Sequence, residues 1–100
     1  MILELATFLS RPEATTTFEA TFGEASRVIA RADGHLGHEL HRSLDEAGRY
    51  QLFVRWRSKE DHMVGFRQSE LFVQWRALLG PYFAATPVVD HLELLQRSPT

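Results

Sequence analysis

The chain of 100 residues contains no cysteine. That absence excludes a disulfide framework, a thiolate nucleophile and a cysteine-ligated zinc site. No apolar run approaches the roughly 18–20 residues of a membrane-spanning helix. The apolar N-terminus, MILELATFLS, has no basic segment and contains Glu4, which speaks against a secretory signal. An excess of positive charge is also missing. There are 11 basic and 13 acidic residues, a net charge of −2, where a nucleic-acid binder usually carries a clear cationic surplus. Phosphate loops, nucleophile elbows and dinucleotide fingerprints are absent, as are repeats, linkers and low-complexity stretches. The expectation is one soluble, cytoplasmic domain over residues 1–100, with neither nucleic acid nor membrane as a partner.

What is present can build a core. Hydrophobic residues make up 44% of the chain and aromatics 11%, a composition that argues against disorder. A folded chain of this mass has a surface of about 5,800 Å² and buries roughly 65% of what the unfolded chain exposes. The core is therefore small, and self-association would help it.

Residues 2–9 form an apolar run with one charge, the pattern of a strand covered on both faces. Ser10-Arg11-Pro12-Glu13 reads as a capping box with proline in the first turn. Phe18, Phe22, Ala25 and Ile29 then recur at helical spacing, with Val28 beside them, up to about Ala32. Asp33-Gly34 ends that helix. Leu36 to Ser43 reads as a second strand, and Asp45-Glu46-Ala47-Gly48 as a turn. In the third strand Tyr50, Leu52, Val54 and Trp56 alternate with Gln51, Phe53, Arg55 and Arg57. Ser58-Lys59-Glu60-Asp61 is a second capping signal. The helix it opens runs to about Leu79, kinked or restarted at Gln68-Ser69, and Gly80-Pro81 ends it. Val88 to Leu95 is the last strand.

The order β-α-β-β-α-β predicts a ferredoxin-like α+β fold. Its two helices cover one face of a four-stranded antiparallel sheet. The other face is left bare and apolar, which points to a homodimer packed sheet against sheet.

From Trp56 to Ser69 the sequence WRSKEDHMVGFRQS resembles the antibiotic biosynthesis monooxygenase family. The likeness continues through Phe72, Trp75-Arg76, Pro81, Pro87 and His91-Leu92-Glu93. The resemblance implies a dimeric α/β barrel and, in one branch of a functionally mixed family, a cofactor-free oxygenase acting on aromatic compounds. Some relatives degrade haem. They carry an iron-ligating histidine close to where Arg76 falls and an asparagine in the first strand, where this chain has Ala6-Thr7. An arginine stays protonated and cannot serve as that ligand.

The resemblance thus implies a monooxygenase or related oxidoreductase acting on a small phenol, quinol or polyketide-like substrate, with no cofactor and no metal. His62 is the candidate catalytic base or orienting group. Arg76 is the candidate catalytic anion stabiliser, with its fork of donors. Trp56, Phe66, Arg67, Trp75 and His91 are the candidate substrate-binding residues. His62 and Phe66, four apart, share a helix face, which an unbroken helix would extend to Ser69 and Val73. Each residue also has a structural reading: an oriented core histidine, surface ion pairs for the arginines, core or interface packing for the tryptophans. Function divides in the same way, between an oxygenase and a non-enzymatic dimer that binds an aromatic molecule. His35, His38 and His41 do not form a zinc-protease motif, and on a strand His38 and His41 point to opposite faces.

Overall fold

The computed structural model describes residues 1–99. Four strands form one antiparallel sheet: β1 (Ile2–Leu9), β2 (His35–Arg42), β3 (Arg49–Trp56) and β4 (Val88–Leu92), in the spatial order β2-β3-β1-β4. Helix α1 (Thr15–Ile29) joins β1 to β2, and α2 (Glu70–Leu79) lies between β3 and β4. This is the ferredoxin-like arrangement that the element order predicts.

The period-two pattern of the strands sorts their side chains between the two faces. Ala6 and Phe8 of β1 and Tyr50, Leu52, Val54 and Trp56 of β3 are buried beneath the helices. From α1 they meet Phe18, Phe22, Ala25, Val28 and Ile29, the predicted stripe, and from α2 they meet Trp75 and Leu79. On the other face Leu3 lies between Arg55 and Leu92, Leu5 between Phe53 and Asp90, and Thr7 between Gln51 and Val88. The helix side of β1 is thus closed and its other side is only half-buried. The expectation of a strand covered on both faces does not hold for the single chain. Nor is the open face wholly apolar: Leu3, Leu5, Phe53, Val88 and Leu92 are mixed with Arg55, Gln51, Glu39 and Asp90. The chain is a slab of 38 × 36 × 20 Å with a surface of 6,514 Å², more than the ~5,800 Å² of a compact monomer of its mass.

The first capping signal is not used as predicted. Ser10 extends the sheet instead, its backbone N–H donating to Gly48 O at 2.8 Å and its hydroxyl to Arg11 O. A short 3-10 turn, Pro12–Ala14, then leads into α1 without a side-chain cap. Gly48 (φ 84°) makes this possible, because a Cβ there would lie 2.9 Å from Ser10 O. The second signal works. Ser58 Oγ accepts the Asp61 N–H at 3.1 Å. Asp61 does not reach back to complete a capping box; it binds the Arg57 guanidinium at 2.8 and 2.9 Å.

The helix that begins there is not one helix. Asp61–Phe66 is π-helical, with Arg67 N–H donating to His62 O at 2.9 Å, five residues back. A turn at Arg67-Gln68-Ser69 then separates it from α2. Because of that break the face carrying Phe66 (2% exposed) does not continue to Val73 (58% exposed). Strand β4 ends at Leu92, short of the predicted Leu95. No helix among the described residues is long and apolar enough to cross a membrane.

Candidate active site

The segment after α2 walls off a cavity. Tyr82 O accepts the Arg11 N–H at 2.9 Å, Ala84 N–H donates to Leu9 O at 2.7 Å, and Phe83 bridges to Ser10. These bonds pin the segment to the end of β1. The space enclosed by that segment, the sheet and α2 has a volume of about 540 Å³, within the range of small-molecule sites. Its floor is Ala6, Phe8, Leu52 and Val89 of the sheet, and its helical wall includes Phe66, Phe72, Trp75 and Leu79. Four titratable groups, Glu4, His62, Arg67 and Arg76, supply polarity together with Thr86.

The two arginines stand at the solvent side. Both are exposed, and their guanidinium carbons lie 5.0 Å (Arg67) and 5.9 Å (Arg76) from the centre of the Phe72 ring. Neither is paired with a carboxylate among the described residues. The surface ion pairs go instead to Arg11, Arg42 and Arg57. Two unneutralised cations on the wall of a largely apolar space suit an anionic ligand group.

The deep end is a chain of titratable groups. Glu4 lies on the helix side of β1 and is 5% exposed. Its Oε1 accepts the indole N–H of Trp56 at 2.9 Å and lies 3.3 Å from His62 Nε2. On the far side His62 Nδ1 is hydrogen-bonded to His91 Nε2 at 2.8 Å. Trp56 stacks on His62 with ring centroids 5.2 Å apart, and His62 in turn on Phe66 at 6.3 Å. Trp56 and Phe66, themselves 5.7 Å apart, form one aromatic cluster with the imidazole.

Burial sets the charge states. It pushes the Glu4 carboxyl up to about 7, although the Trp56 hydrogen bond and the Arg67 charge pull it back. Burial also pushes His62 down to about 4, helped by His91 and Arg67. His91, half-buried on β4, is lowered by burial and by Lys59, against Asp90. Glu4 and His62 are thus not a fixed ion pair. His62 stays neutral near pH 7, and Glu4 is the group that exchanges a proton there.

Of the seven sequence candidates, His62, Phe66, Arg67, Trp75 and Arg76 line the cavity. Trp56 does not. It is fully buried behind Glu4 and His62 and acts on the cavity through them and through Phe66. His91 is likewise outside the lining and touches His62 from the edge strand. Glu4 was not among the sequence candidates. Its signal was a lone carboxylate in an apolar strand at the parity of Ala6 and Phe8. His35, His38 and His41 do not converge. His35 Nε2 meets His38 Nδ1 at 2.7 Å, and His38 Nε2 meets Ser26 Oγ at 2.5 Å, under α1. His41 pairs with Glu39 on the open face.

Comparison with known proteins agrees with this fold. Residues 1–78 match the family model described as antibiotic biosynthesis monooxygenase. The uncharacterized Bacillus subtilis protein YczJ is 32% identical over 93% of this chain and 98% of its own length. The crystal structure of a candidate antibiotic biosynthesis monooxygenase from Bordetella bronchiseptica is 41% identical. It superposes with a TM-score of 0.92, covering 95% of this chain and 97% of that one. SnoaB, a cofactor-independent oxygenase from Streptomyces nogalater, shares the fold at a TM-score of 0.84 and 19% identity, over 99% and 97% of the two chains. The chain therefore belongs to the antibiotic biosynthesis monooxygenase family.

Proposed function

We propose that this protein is a cofactor-independent monooxygenase of small, electron-rich aromatic compounds such as phenols, quinols or anthrones, acting in the cytoplasm as a homodimer. The observation that carries this reading is the 540 Å³ cavity. It combines aromatic walls with a buried proton-exchanging pair and two unneutralised arginines. The half-buried leucines and Phe53 on the open sheet face support pairing of two copies there.

The reaction needs no electrons from the protein. An anthrone methylene loses one proton to the Glu4–His62 pair, and Arg76 with Arg67 stabilises the enolate that remains. The enolate gives an electron pair to O₂, forming a carbon–oxygen bond and a peroxide. Loss of the second methylene proton then breaks the O–O bond. One oxygen stays as a carbonyl, and the other leaves with that second proton as hydroxide and becomes water by taking one proton back from the Glu4–His62 pair. The apolar walls keep bulk water from quenching the anion.

Oxygen uptake with 1,8-dihydroxyanthrone tests this reading, measured against the buffer's own autoxidation. The wild-type protein is expected to accelerate uptake, and Arg76→Gln to lose at least about tenfold of that gain. Quenching of tryptophan fluorescence by the same compound, with uptake no faster than in buffer, would favour the alternative of a non-enzymatic aromatic-binding dimer.

A further inference from the structure

The function above absorbs the arginines and the aromatic walls but leaves the role of His91 open. His91 lies outside the cavity, yet it is bonded to the one imidazole that lines it. We propose that Glu4 is the group that takes the substrate's proton, and that His62 and His91 relay this proton from the cavity to solvent at the edge of the sheet. The proposal rests on the oxygenase reading, because that chemistry begins with loss of a proton.

The three groups follow one another from inside to outside, the first pair in close contact and the second hydrogen-bonded. Glu4 faces the cavity. Its Oε1 is 3.3 Å from His62 Nε2, and His62 Nδ1 is 2.8 Å from His91 Nε2. Distances of this length in a substrate-free site shorten when substrate binds. His91 sits on β4, an edge strand, and is half-buried, so its remaining nitrogen, Nδ1, is the outward end of the chain. Trp56 offers no side exit. It occupies Glu4 with a donor only, and its ring lies stacked along His62.

The proton count closes. With Glu4 protonated, its O–H faces His62 Nε2, and each imidazole carries its proton on Nδ1. The Glu4 proton moves to His62 Nε2, the His62 Nδ1 proton to His91 Nε2, and the His91 Nδ1 proton to water. One proton has left, Glu4 is a carboxylate again, and both rings carry their proton on Nε2. The hydroxide released into the cavity by O–O cleavage takes the His62 Nε2 proton and becomes water. His91 Nε2 passes its proton to His62 Nδ1, and solvent water reprotonates His91 Nδ1. Both rings thus return to the Nδ1 form, and the Glu4 carboxylate is ready for the next substrate proton. No imidazolium is needed at rest, which suits a His62 held neutral by burial. The charged neighbours favour outward movement. Arg67 acts on all three groups and opposes positive charge on either ring, while Asp90 beside His91 attracts the departing proton against Lys59.

Two measurements test the relay separately from the function. In oxygen uptake with 1,8-dihydroxyanthrone, Glu4→Gln is expected to lose about 100-fold with no recovery. His91→Ala is expected to lose about tenfold and to recover when imidazole is added to the buffer. A His91→Ala protein at full rate without imidazole would overturn the relay. The second measurement needs no substrate, so it stands even if the anthrone is not turned over. Ring nitrogen NMR of histidine-labelled protein is expected to show His62 neutral throughout, its proton on Nδ1 at pH 6 and on Nε2 at pH 8. In Glu4→Gln that change is expected to disappear. A His62 that becomes imidazolium in this interval, or keeps one tautomer across it, would contradict the proposal.

Discussion

Two carboxylates, at opposite ends of the layer between helices and sheet, behave in opposite ways. Glu19 on α1 accepts the Tyr50 hydroxyl and both arms of Arg42, at 3.0 and 2.7 Å, at the edge of the molecule. Those hydrogen bonds, Arg42's first, hold its carboxyl below the usual range. Glu4 on β1 also accepts from an aromatic donor, Trp56, but burial outweighs that bond and lifts the carboxyl to about 7. Both sites give a carboxylate an aromatic partner. The difference lies in the guanidinium fork and the access to water. One end fixes a charge for structure, and the other leaves a proton free to move beside a cavity.

The largest expected effect is at the Glu19 end, where packing dominates. Phe18 is fully buried among Phe8, Tyr50 and Phe83. Phe18→Ala should cost about 3–5 kcal/mol in denaturant unfolding, with little dependence on pH. Glu4→Gln sharpens the comparison through its pH dependence. The folded carboxyl titrates near 7 and the unfolded one near 4.5, so between these values the folded state binds more protons. Wild-type stability therefore falls across that interval through Glu4, and the variant escapes the fall. Its stability relative to wild type should rise by an amount on the order of 3 kcal/mol from pH 4.5 to 7, then level off. Tyr50→Phe removes one hydrogen bond to Glu19 and should cost about 1 kcal/mol. The smallest effect is Arg42→Ala. The residue is exposed, and its loss should leave the Tm unchanged while Glu19 returns toward the ordinary carboxylate range, read by carbon NMR.

The elements were legible because their signals are local. Alternation marked β3, three-and-four spacing marked α1, and Gly80-Pro81 marked the end of α2. The misreadings have physical causes. Ser10 can cap a helix or extend a strand, and the contact with Gly48, 38 residues away, decides the matter. The π-helical turn depends on how His62 and Phe66 seat against Trp56, which no spacing rule encodes. The family likeness pointed to the second helical region, so five of its candidates were found lining the cavity. Glu4 lies far from that motif. Only the register of β1 against β3 and the helices shows that its carboxyl faces inward.

The central claim is that the cavity's proton-exchanging group is Glu4 and not His62. Carbon NMR of protein labelled at the glutamate carboxyl, titrated from pH 4 to 9, tests it directly. One resonance should titrate near 7 and vanish in Glu4→Gln, while the His62 ring stays neutral down to about 5. If every glutamate instead titrated in the ordinary range and His62 gained its proton near 6.5, its ordinary value, the account would be contradicted.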